Sequence, residues 1–338
     1  MTRSLTLQAE AFPLERPFRI SRGIKTCAEV VTVTLSQGDL TGRGEGIPYP
    51  RYRESIGETI AAIEAQRGLL ESGAGRTDLL AAMPPGAARN AVDCALWDLE
   101  LRLAGSSIGA ALGLADAAGP LATALTVGLD EPERMAHAAS ALAQVPLIKV
   151  KVDRSNPMAQ LRAVREAAPS PRLIVDPNES WTMAELAGLQ ELLVELRVDC
   201  LEQPLPAGDD RALEGFASAV PIAADESIHT AADLADLPGG YSIVNVKLDK
   251  TGGLTAALEL AEAAKARGLS VMTGCMISTS LSIAPALAFA KAVGSDLVDL
   301  DGPLWLAADR AGGVGESGGF LLPPQPGFWG GANPMQMG

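Results

Sequence analysis

Three acidic residues, each at the end of a short apolar run, could together bind a metal ion: Asp176, Glu202 and Asp225. If the runs are neighbouring parallel strands, their carboxyl ends meet at one face and the side chains lie close together. Three converging carboxylates without a cation would repel one another, and their pKa values would rise. One such acid alone is more typical of a loop or a helix cap. Three acids at one depth, without His or Cys, favour a hard cation and predict one Mg²⁺ per subunit, with Mn²⁺ as the alternative.

Three lysines flank these acids and could exchange protons with a substrate. Lys149 and Lys151 are two residues apart in one apolar run, and Lys247 ends another. Alternate residues of a strand face the same side, so we expect all three side chains to point inward. A buried lysine is costly unless it is paired or functional. Neighbouring ammonium groups and a divalent cation lower a lysine pKa, so Lys151 and Lys247 could act as bases on the two faces of one carbon.

Two other interpretations of the lysines stay open at this point. They could form structural ion pairs with the acids of the same strands. One of them could instead form a Schiff base with a carbonyl substrate, as lysines of barrel aldolases do. The Schiff-base interpretation does not explain the three acids.

The elements that must position these residues are eight short apolar runs separated by amphipathic stretches. The runs are 122–128, 147–151, 173–176, 198–202, 221–225, 243–247, 269–273 and 297–301. Regular strand–helix alternation predicts a parallel sheet, and eight units predict closure into a barrel. An open doubly wound sheet is the alternative, but the first run is not followed by the Gly-rich turn of a dinucleotide-binding fold.

The barrel accounts for only part of the chain. Strand and helix patterns before it predict an α+β capping domain over residues 1–118, followed by the barrel over residues 119–310. The segment 311–338 is rich in Gly and Pro, without a full eighth helix, and we expect it to return to the capping domain. The predicted fold class is therefore α/β, a (β/α)7β modified TIM barrel with an N-terminal cap.

Composition excludes several classes of function. The 338 residues carry a formal net charge of −14 without a Lys/Arg block, which argues against nucleic acid as a partner. No apolar run reaches the ~18 residues of a membrane span, and the N-terminus lacks the apolar stretch of a signal peptide. We therefore expect a cytoplasmic protein that binds neither membranes nor nucleic acids. Two histidines leave little for a His-based metal site or a catalytic triad.

The ordered set of these motifs resembles a known family. Lys149-Val150-Lys151, the three acids and Lys247 are similar to the enolase superfamily in its muconate-lactonizing subgroup, over nearly the whole chain. Residues 248–253 (Leu-Asp-Lys-Thr-Gly-Gly) and the pair Asp299 and Asp301 resemble the dipeptide epimerase branch. Each motif is short, and the resemblance depends on their order and strand spacing.

The resemblance implies a Mg²⁺-dependent epimerisation of a dipeptide at the α-carbon of its C-terminal residue, by two-base proton transfer through a metal-stabilised enediolate. Lys151 and Lys247 are implied to be the two bases. Lys149 would lie beside Lys151 and tune it. Asp249 and Lys250 are implied to orient Lys247.

The resemblance also implies where the substrate binds. Asp299 and Asp301 would hold the N-terminal ammonium group of the dipeptide. Thr126 and Ser278, at the ends of the first and seventh strands, are expected to line the pocket.

Specificity is expected from two loops of the cap, 17–25 and 48–55, which close over the barrel mouth in this family. Their basic residues, in an acidic chain, suggest an anionic side chain at the second position of the dipeptide, as in substrates of the L-Ala-D/L-Glu type. Arg22 and Lys25 are the favoured contacts. Exposed surface arginines are the alternative interpretation of these loops.

Other functions remain open at this stage. The chain could epimerise other dipeptides, or could be an o-succinylbenzoate synthase, an N-acylamino acid racemase or a muconate-type cycloisomerase. Two acids at the eighth strand argue against substrates without an ammonium group. A catalytically inactive barrel used as a scaffold is the alternative outside enzymology. The expected partner is a small dipeptide from murein-peptide recycling, and a homo-oligomer stays open.

Overall fold

The computed structural model describes residues 3–114 and 117–331. The cap begins with an antiparallel sheet of three strands in the order β1-β2-β3, and helices pack against it. The strands are β1 (Arg3–Ile20), β2 (Gly23–Gln37) and β3 (Leu40–Gly46). The helices are α1 (Ile56–Glu64), α2 (Arg67–Glu71), α3 (Arg76–Ala82), α4 (Ala87–Leu103) and α5 (Ile108–Ala111), with a 3-10 turn at Pro50–Tyr52.

The first cap loop predicted from the sequence is the tip of a long hairpin. Pairing between β1 and β2 continues through Phe18 with Lys25 and ends at Ile20 with Gly23. Only two residues connect the strands, so the backbone of segment 17–25 is held by strand pairing. Strand pairing therefore places the backbone of this hairpin tip over the barrel mouth.

Helix α4 lies directly on β3 because three alternate residues of that strand are glycines. A Cβ atom at Gly42, Gly44 or Gly46 would approach a carbonyl oxygen of α4 to between 2.1 and 2.3 Å. Alternate residues of a strand share one face, so the three glycines form the flat surface on which the helix rests. Any side chain at these positions would push the helix off the sheet.

The second unit is a parallel sheet of eight strands whose order follows the sequence without reversal. The strands are β5 (Leu125–Val127), β6 (Leu147–Lys151), β7 (Arg172–Asp176), β8 (Cys200–Glu202), β9 (Ile222–Ala224), β10 (Ile243–Val246), β11 (Ser270–Gly274) and β12 (Leu297–Asp299). The amide of Ala124 donates to the carbonyl of Val298 at 2.7 Å, which joins the first strand to the last. The predicted capped barrel is confirmed, and the open doubly wound sheet is wrong because strand order does not reverse.

Helices connect most of the strands on the outside of the barrel. They are α6 (Pro132–Ser140), α7 (Pro157–Ala167), α8 (Met183–Gly188), α9 (Gln190–Glu195), α10 (Leu248–Thr251), α11 (Leu254–Ala266) and α12 (Ser280–Val293). Short 3-10 turns occur after β8, β9 and β12, at Asp210–Leu213, Ala231–Ala235 and Gly302–Trp305. The last of these stands where an eighth helix would be. Within the described residues, no helix is long and apolar enough to cross a membrane.

One buried residue from each barrel strand, or from the position before it, forms a closed apolar layer inside the barrel. The layer consists of Ala124, Leu147, Ile174, Cys200, Ala223, Ile243, Met272 and Leu297. Two residues further along the strands stand Thr126, Lys149, Asp176, Glu202, Asp225, Asn245, Gly274 and Asp299. Side chains of a strand repeat every second residue, so this second set faces the same interior, one step nearer the mouth. The apolar layer therefore supports a polar one.

After β12 the chain first pairs with the start of the barrel and then contacts the cap. Strands β13 (Gly315–Ser317) and β14 (Phe320–Leu322) form a small antiparallel sheet with β4 (Leu121–Ala122). Further on, the Trp329 indole donates to the carbonyl of Arg43 at 3.0 Å, and the Gly330 amide donates to Asp98 at 2.8 Å. The final residues of the predicted returning segment, 332–338, lie outside the described residues.

Candidate active site

A cavity of about 540 Å³ lies between the cap and the mouth of the barrel. Its floor is formed by the polar layer at the strand ends, and its roof by the β1–β2 hairpin tip and the segment around Tyr49 and Tyr52. Both units of the chain are therefore needed to enclose it. Predicted site residues in its wall are Arg22, Lys25, Thr126, Lys149, Lys151, Asp225, Lys247, Asp299 and Asp301.

Lys149 stands at the centre of the floor. Its Nζ lies 2.7 Å from Glu202 Oε2, 2.8 Å from Asp299 Oδ2 and 3.0 Å from Asp176 Oδ2. Burial alone would lower the pKa of this lysine, but the surrounding carboxylates outweigh burial and raise the pKa well above its ordinary value. In this arrangement Lys149 is therefore a cation that holds the acids of three strands together.

The two predicted bases lie on either side of this centre. Lys151 Nζ is 2.6 Å from Asp176 Oδ2, and Lys247 Nζ is 2.6 Å from Asp225 Oδ2. Burial would lower the pKa of Lys247, but Asp225 raises it above the ordinary value. The lowered pKa predicted for Lys247 assumed a bound divalent cation, so it stays a prediction in this arrangement, where a carboxylate contacts the ammonium group. Lowering would require another cation to engage that carboxylate.

Lys250 is buried beside the same acid. Its Nζ lies 2.7 Å from Asp225 Oδ1 and donates to the carbonyl of Asn245 at 2.9 Å. Burial lowers the pKa of Lys250, against the opposing effect of Asp225. The two oxygens of Asp225 are thus shared between Lys247 and Lys250, and Lys250 positions Lys247 only through that carboxylate.

The predicted metal ligands are close neighbours, but their side chains are turned towards lysines. Asp176 and Glu202 share Lys149, while Glu202 and Asp225 share Lys247, whose Nζ lies 4.0 Å from Glu202 Oε1. Over residues 3–114 and 117–331, no three Asp, Glu, His or Cys side chains converge on a point that could hold a metal ion. The convergence expected from the sequence is therefore not seen in these side-chain orientations.

The donor chemistry of the three acids nevertheless fits a hard cation. All three are fully buried oxygen donors on adjacent strands. Burial and the neighbouring Asp176 raise the pKa of Glu202 to about 7. The lysines near Glu202 therefore do not fully offset the repulsion between its negative charge and that of Asp176. A divalent cation among the three acids would remove that repulsion.

Asp299 and Asp301 form a second acidic pair, on the wall beside β5. Asp301 Oδ2 accepts from the Thr126 amide at 2.9 Å and from the Trp305 indole at 3.2 Å. Burial and the charge of Asp299 raise the pKa of Asp301 to about 6. Asp299 Oδ1 is buried without a hydrogen-bond donor within the described part of the chain. The pair therefore has free acceptor capacity for a cationic group in the cavity.

Ser278 and Asp249 do not have the contacts that the sequence predicted for them. Ser278 is fully buried, but its side chain is outside the cavity wall, where Met276 and Ile277 stand instead. Asp249 does not contact Lys247: its Oδ1 accepts from the Ile47 amide at 2.9 Å and from Asn90 Nδ2 at 2.8 Å. Burial raises the pKa of Asp249 to about 7. Asp249 therefore connects the barrel to the cap, and the orienting role predicted for it towards Lys247 could only be indirect.

Sequence reasoning missed two acids that bind the cap. Arg22 Nη2 lies 2.7 Å from Glu226 Oε1, and Arg22 Nη1 lies 2.9 Å from Glu179 Oε2. Arg51 binds both oxygens of Glu179, at 2.9 and 2.7 Å. Glu226 directly follows Asp225, and Glu179 lies three residues after Asp176. Their place just beyond two predicted metal ligands was the only signal that the sequence offered.

Both units of the chain match known protein families. Residues 2–113 match the family described as "Mandelate racemase / muconate lactonizing enzyme, N-terminal domain", and residues 133–328 match "Enolase C-terminal domain-like". The chain is 47% identical to the L-Ala-D/L-Glu epimerase of Escherichia coli (strain K12), over 91% of this chain and 95% of that protein. It is 40% identical to the N-acetyl-D-glutamate racemase of a Pseudoalteromonas species, over 90% of this chain and 96% of that protein.

Solved structures share the fold over almost the whole chain. An enolase family member from Agrobacterium tumefaciens, with homology to dipeptide epimerases, was solved with sodium and L-Ala-L-Glu. It superposes with a TM-score of 0.93 and 46% identity, over 97% of this chain and all of that one. The dipeptide epimerase of Methylococcus capsulatus, solved with Mg and L-Arg-D-Lys, superposes with a TM-score of 0.88 and 33% identity, over 96% and 98% of the two chains.

Proposed function

Because this chain belongs to the mandelate racemase/muconate lactonizing enzyme family of the enolase superfamily, we propose that it is a dipeptide epimerase for substrates of the L-Ala-D/L-Glu type. Its similarity to epimerases and racemases places it among isomerases. The observation that carries the proposal is that Lys151 and Lys247 line one cavity from opposite sides of the three acidic strands. That cavity also contains an acidic pair suited to an ammonium group, at Asp299 and Asp301.

The two lysines would exchange protons with one carbon. One Nζ, as the free amine, takes the α-proton of the C-terminal residue while the C–H bond breaks. The other, as ammonium, gives its proton to the opposite face, and a new C–H bond forms with inverted configuration. After a turnover the two lysines have swapped protonation states, so no oxidant or reductant is needed. We assign no proton transfer to Lys149, because its Nζ also pairs, at 2.8 Å, with Asp299, which is not among the proposed metal ligands.

Asp176, Glu202 and Asp225 would hold Mg²⁺, as their donor chemistry allows. When bound, the ion would supply positive charge that stabilises the negative charge growing on the substrate carboxylate as the α-proton leaves. With Mg²⁺ bound to these acids, the negative charges of Asp176 and Asp225 would no longer fully balance the positive charges of Lys151 and Lys247. Either lysine could then lose its proton near neutral pH.

Asp299 and Asp301 favour a free dipeptide over an N-acylated amino acid. Two adjacent buried carboxylates attract an ammonium group and repel a substrate that lacks one. N-acetylglutamate is the second candidate substrate, since a relative at 40% identity is named for it. The setting that we propose is cytoplasmic recycling of murein peptides, where free alanyl-glutamate dipeptides arise.

The test is isotope exchange in D₂O. L-Ala-L-Glu and N-acetyl-L-glutamate are incubated separately with the full-length protein and Mg²⁺, and deuterium at the α-carbon is followed by NMR and mass spectrometry. We expect exchange and the L,D diastereomer with the dipeptide, at a much higher rate than any exchange of N-acetylglutamate. A higher rate with N-acetylglutamate would identify it as the preferred substrate. No exchange with either compound would overturn both candidate functions.

A further inference from the structure

Trp305 connects the acidic pair of the cavity to the cap. It lies four residues after Asp301, at the end of the 3-10 turn Gly302–Trp305. The Leu304 amide donates to the carbonyl of Asp301 at 2.9 Å and closes this turn. The indole lies back over the start of the turn, where its Nε1 donates to Asp301 Oδ2 at 3.2 Å. Only 5% of Trp305 is exposed, so this hydrogen bond is protected from water.

The two protein donors to Asp301 leave one of its oxygens available. The Thr126 amide and the Trp305 indole both donate to Oδ2, and no described residue donates to Oδ1. In Asp299, Oδ2 likewise pairs with Lys149 at 2.8 Å, while Oδ1 is buried without a donor in the described part of the chain. Each acid of the pair therefore has one oxygen held by the protein and one that can accept from a ligand.

The indole supplies the second of the two contacts that orient the Asp301 carboxylate. The last torsion of an aspartate side chain has a broad energy minimum, so one donor alone lets the carboxylate rotate. The Thr126 amide belongs to strand β5 of the barrel, whereas the indole follows β12, so the two donors come from different elements. With both in place, the free oxygen of Asp301 has one direction.

The backbone of the cap is joined to the segment that carries Trp305. Pairing of β1 with β2 shifts register between Pro13 and Phe18, and residues 14–17, here called the cap bulge, are not paired with β2. Leu14 of the cap bulge forms an antiparallel bridge with Leu306, and the Ala307 amide donates to the carbonyl of Pro13 at 2.9 Å. The cap bulge therefore pairs with the barrel at the residues directly after the indole.

Two side chains of the cap also contact the indole ring. The Phe18 ring lies edge-on to it, with centroids 4.5 Å apart, and Arg16 Cζ lies 4.7 Å from the ring centroid of Trp305. Trp305 also belongs to an apolar cluster with Ala28 of the cap and Ile277 of the barrel. The ring is therefore held by the cap, while its N–H is bonded to an acid of the barrel.

We propose that Trp305 is a positioning residue for amine recognition: its indole fixes the Asp301 carboxylate so that Oδ1 is available to the ammonium group of the substrate, and the cap bulge holds the indole. This proposal rests on the proposed epimerase function and gives a role to a residue outside the cavity wall. Loss of the indole N–H should weaken binding of the ammonium group, while the proton transfers at the α-carbon continue.

The experiment is a double-mutant cycle between Trp305 and Asp301. The parent, Trp305→Phe, Asp301→Asn and the double variant are assayed with Mg²⁺ for kcat and KM of L-Ala-L-Glu, by α-deuterium exchange in D₂O. Trp305→Phe keeps an aromatic ring but removes the N–H, so we expect KM to rise about 10-fold with kcat nearly unchanged. In the Asp301→Asn background the same change should alter KM less than about twofold, because the charge that the indole orients is already gone.

Two further variants separate the indole N–H from packing. Trp329→Phe is the matched control, since its indole is equally buried but donates to the carbonyls of Arg43 and Cys94, outside the cavity wall. Its kcat and KM should equal those of the parent. Arg16→Met removes the cation above the Trp305 ring from an exposed position outside the cavity wall. We expect KM to rise about two- to fivefold, the range of an exposed cation–π contact.

The possible failures are distinguishable. If the parent is active and Trp305→Phe keeps its KM, or raises KM equally in the parent and Asp301→Asn backgrounds, the positioning role is overturned while the epimerase proposal stands. An unchanged KM in Arg16→Met would overturn the role of the cap bulge.

If the parent exchanges no dipeptide, the epimerase proposal fails, and the link between Trp305 and Asp301 is measured without activity. The pH titration of the Asp301 carboxyl is followed by NMR in protein labelled with ¹³C at aspartate, with Asp301→Asn identifying the signal. The indole N–H favours the charged carboxylate, so the pKa of Asp301 should rise in Trp305→Phe and stay unchanged in Trp329→Phe. Equal pKa values in the parent and Trp305→Phe would overturn the positioning role as well.

Discussion

Arg22 Nη2 in the cap lies 2.7 Å from Glu226 Oε1 in the barrel, and Glu226 directly follows the predicted metal ligand Asp225. The same guanidinium also binds Glu179, which Arg51 holds from the second cap segment. Ion pairs thus connect the end of β7 to both cap segments and the end of β9 to the hairpin tip. Closure of the cap and the geometry of the barrel mouth are therefore coupled through these pairs.

Loss of this coupling should weaken all dipeptides alike. In Arg22→Ala, two carboxylates lose their partner and the roof is held less firmly, so we expect KM to rise about 10-fold for Ala-Glu and Ala-Gln equally. Steady-state kinetics on both dipeptides provide the measurement. A rise confined to Ala-Glu would show that Arg22 contacts the side chain of the substrate instead.

The acidic pair Asp299 and Asp301 should favour dipeptides with a free N-terminal amino group over N-acetylated ones. Asp301→Asn removes a charge but keeps an oxygen that can accept from the Thr126 amide, so the wall should stay intact. We expect kcat/KM for Ala-Glu to fall about 10-fold or more, and any activity on N-acetyl-Ala-Glu to be unchanged or increased. Equal losses on the free and the acetylated dipeptide would remove the ammonium-binding role from this pair.

Mg²⁺ should stabilise the folded protein through the three buried acids. A ligand at 100 times its Kd adds about 2.7 kcal/mol to the free energy of unfolding, so a rise in Tm with Mg²⁺ is expected by calorimetry. Glu202→Gln should reduce this rise. Glu226→Gln is the matched control, since Glu226 is also buried beside Asp225 but is paired with Arg22. No dependence of Tm on Mg²⁺, or equal effects of the two variants, would contradict the assigned ligands.

His229 should make the protein less stable as the pH falls. Its imidazole packs edge-on against the Tyr52 ring, with centroids 4.5 Å apart, and burial followed by the charge of Lys250 lowers the pKa of His229 to about 4. Since the unfolded pKa is about 6.5, the unfolded state binds more protons between these values. The contribution of His229 to the free energy of unfolding is therefore most favourable above pH 6.5, where the imidazole is neutral in both states. It becomes less favourable as the pH falls towards 4.

Urea titrations at pH 7.5 and pH 5 measure this effect. The free energy of unfolding of the parent should fall by about 1–2 kcal/mol more than that of His229→Gln over this range. In NMR spectra, the imidazole signals of His229 should still titrate below pH 5. Parallel pH dependence of parent and variant would show that the imidazole is not held neutral.

The sequence predicted the barrel and its polar layer because both follow from local periodicity. A residue in the apolar layer, such as Leu147, determines that Lys149 and Lys151 also face inward, whatever the rest of the chain does. Similarly, Ile174 implies the inward direction of Asp176. These predictions needed only the strand positions, which the regular spacing of apolar runs supplies.

Contacts between the cap and the barrel could not be predicted in the same way. Arg22 and Glu226 are 204 residues apart in sequence, and no periodicity relates a hairpin tip to a distant strand end. The partners of Asp249 in the cap are 202 and 159 residues away in sequence, so the sequence indicated only its neighbour Lys247. Ser278 was misplaced because the path of the loop after β11 depends on packing against Gly302, whose missing side chain leaves the space.

The account depends most on two lysines that act on opposite faces of one carbon. The decisive measurement is α-deuterium exchange, in D₂O with Mg²⁺, from L-Ala-L-Glu and L-Ala-D-Glu separately, in Lys151→Ala and Lys247→Ala. General acid–base groups contribute about 10²- to 10⁴-fold, so each variant should lose epimerisation by about that factor. Each should keep exchange with only one diastereomer, and the two variants should keep opposite ones. Parental epimerisation in either variant, or exchange of the same diastereomer in both, would contradict the two-base mechanism.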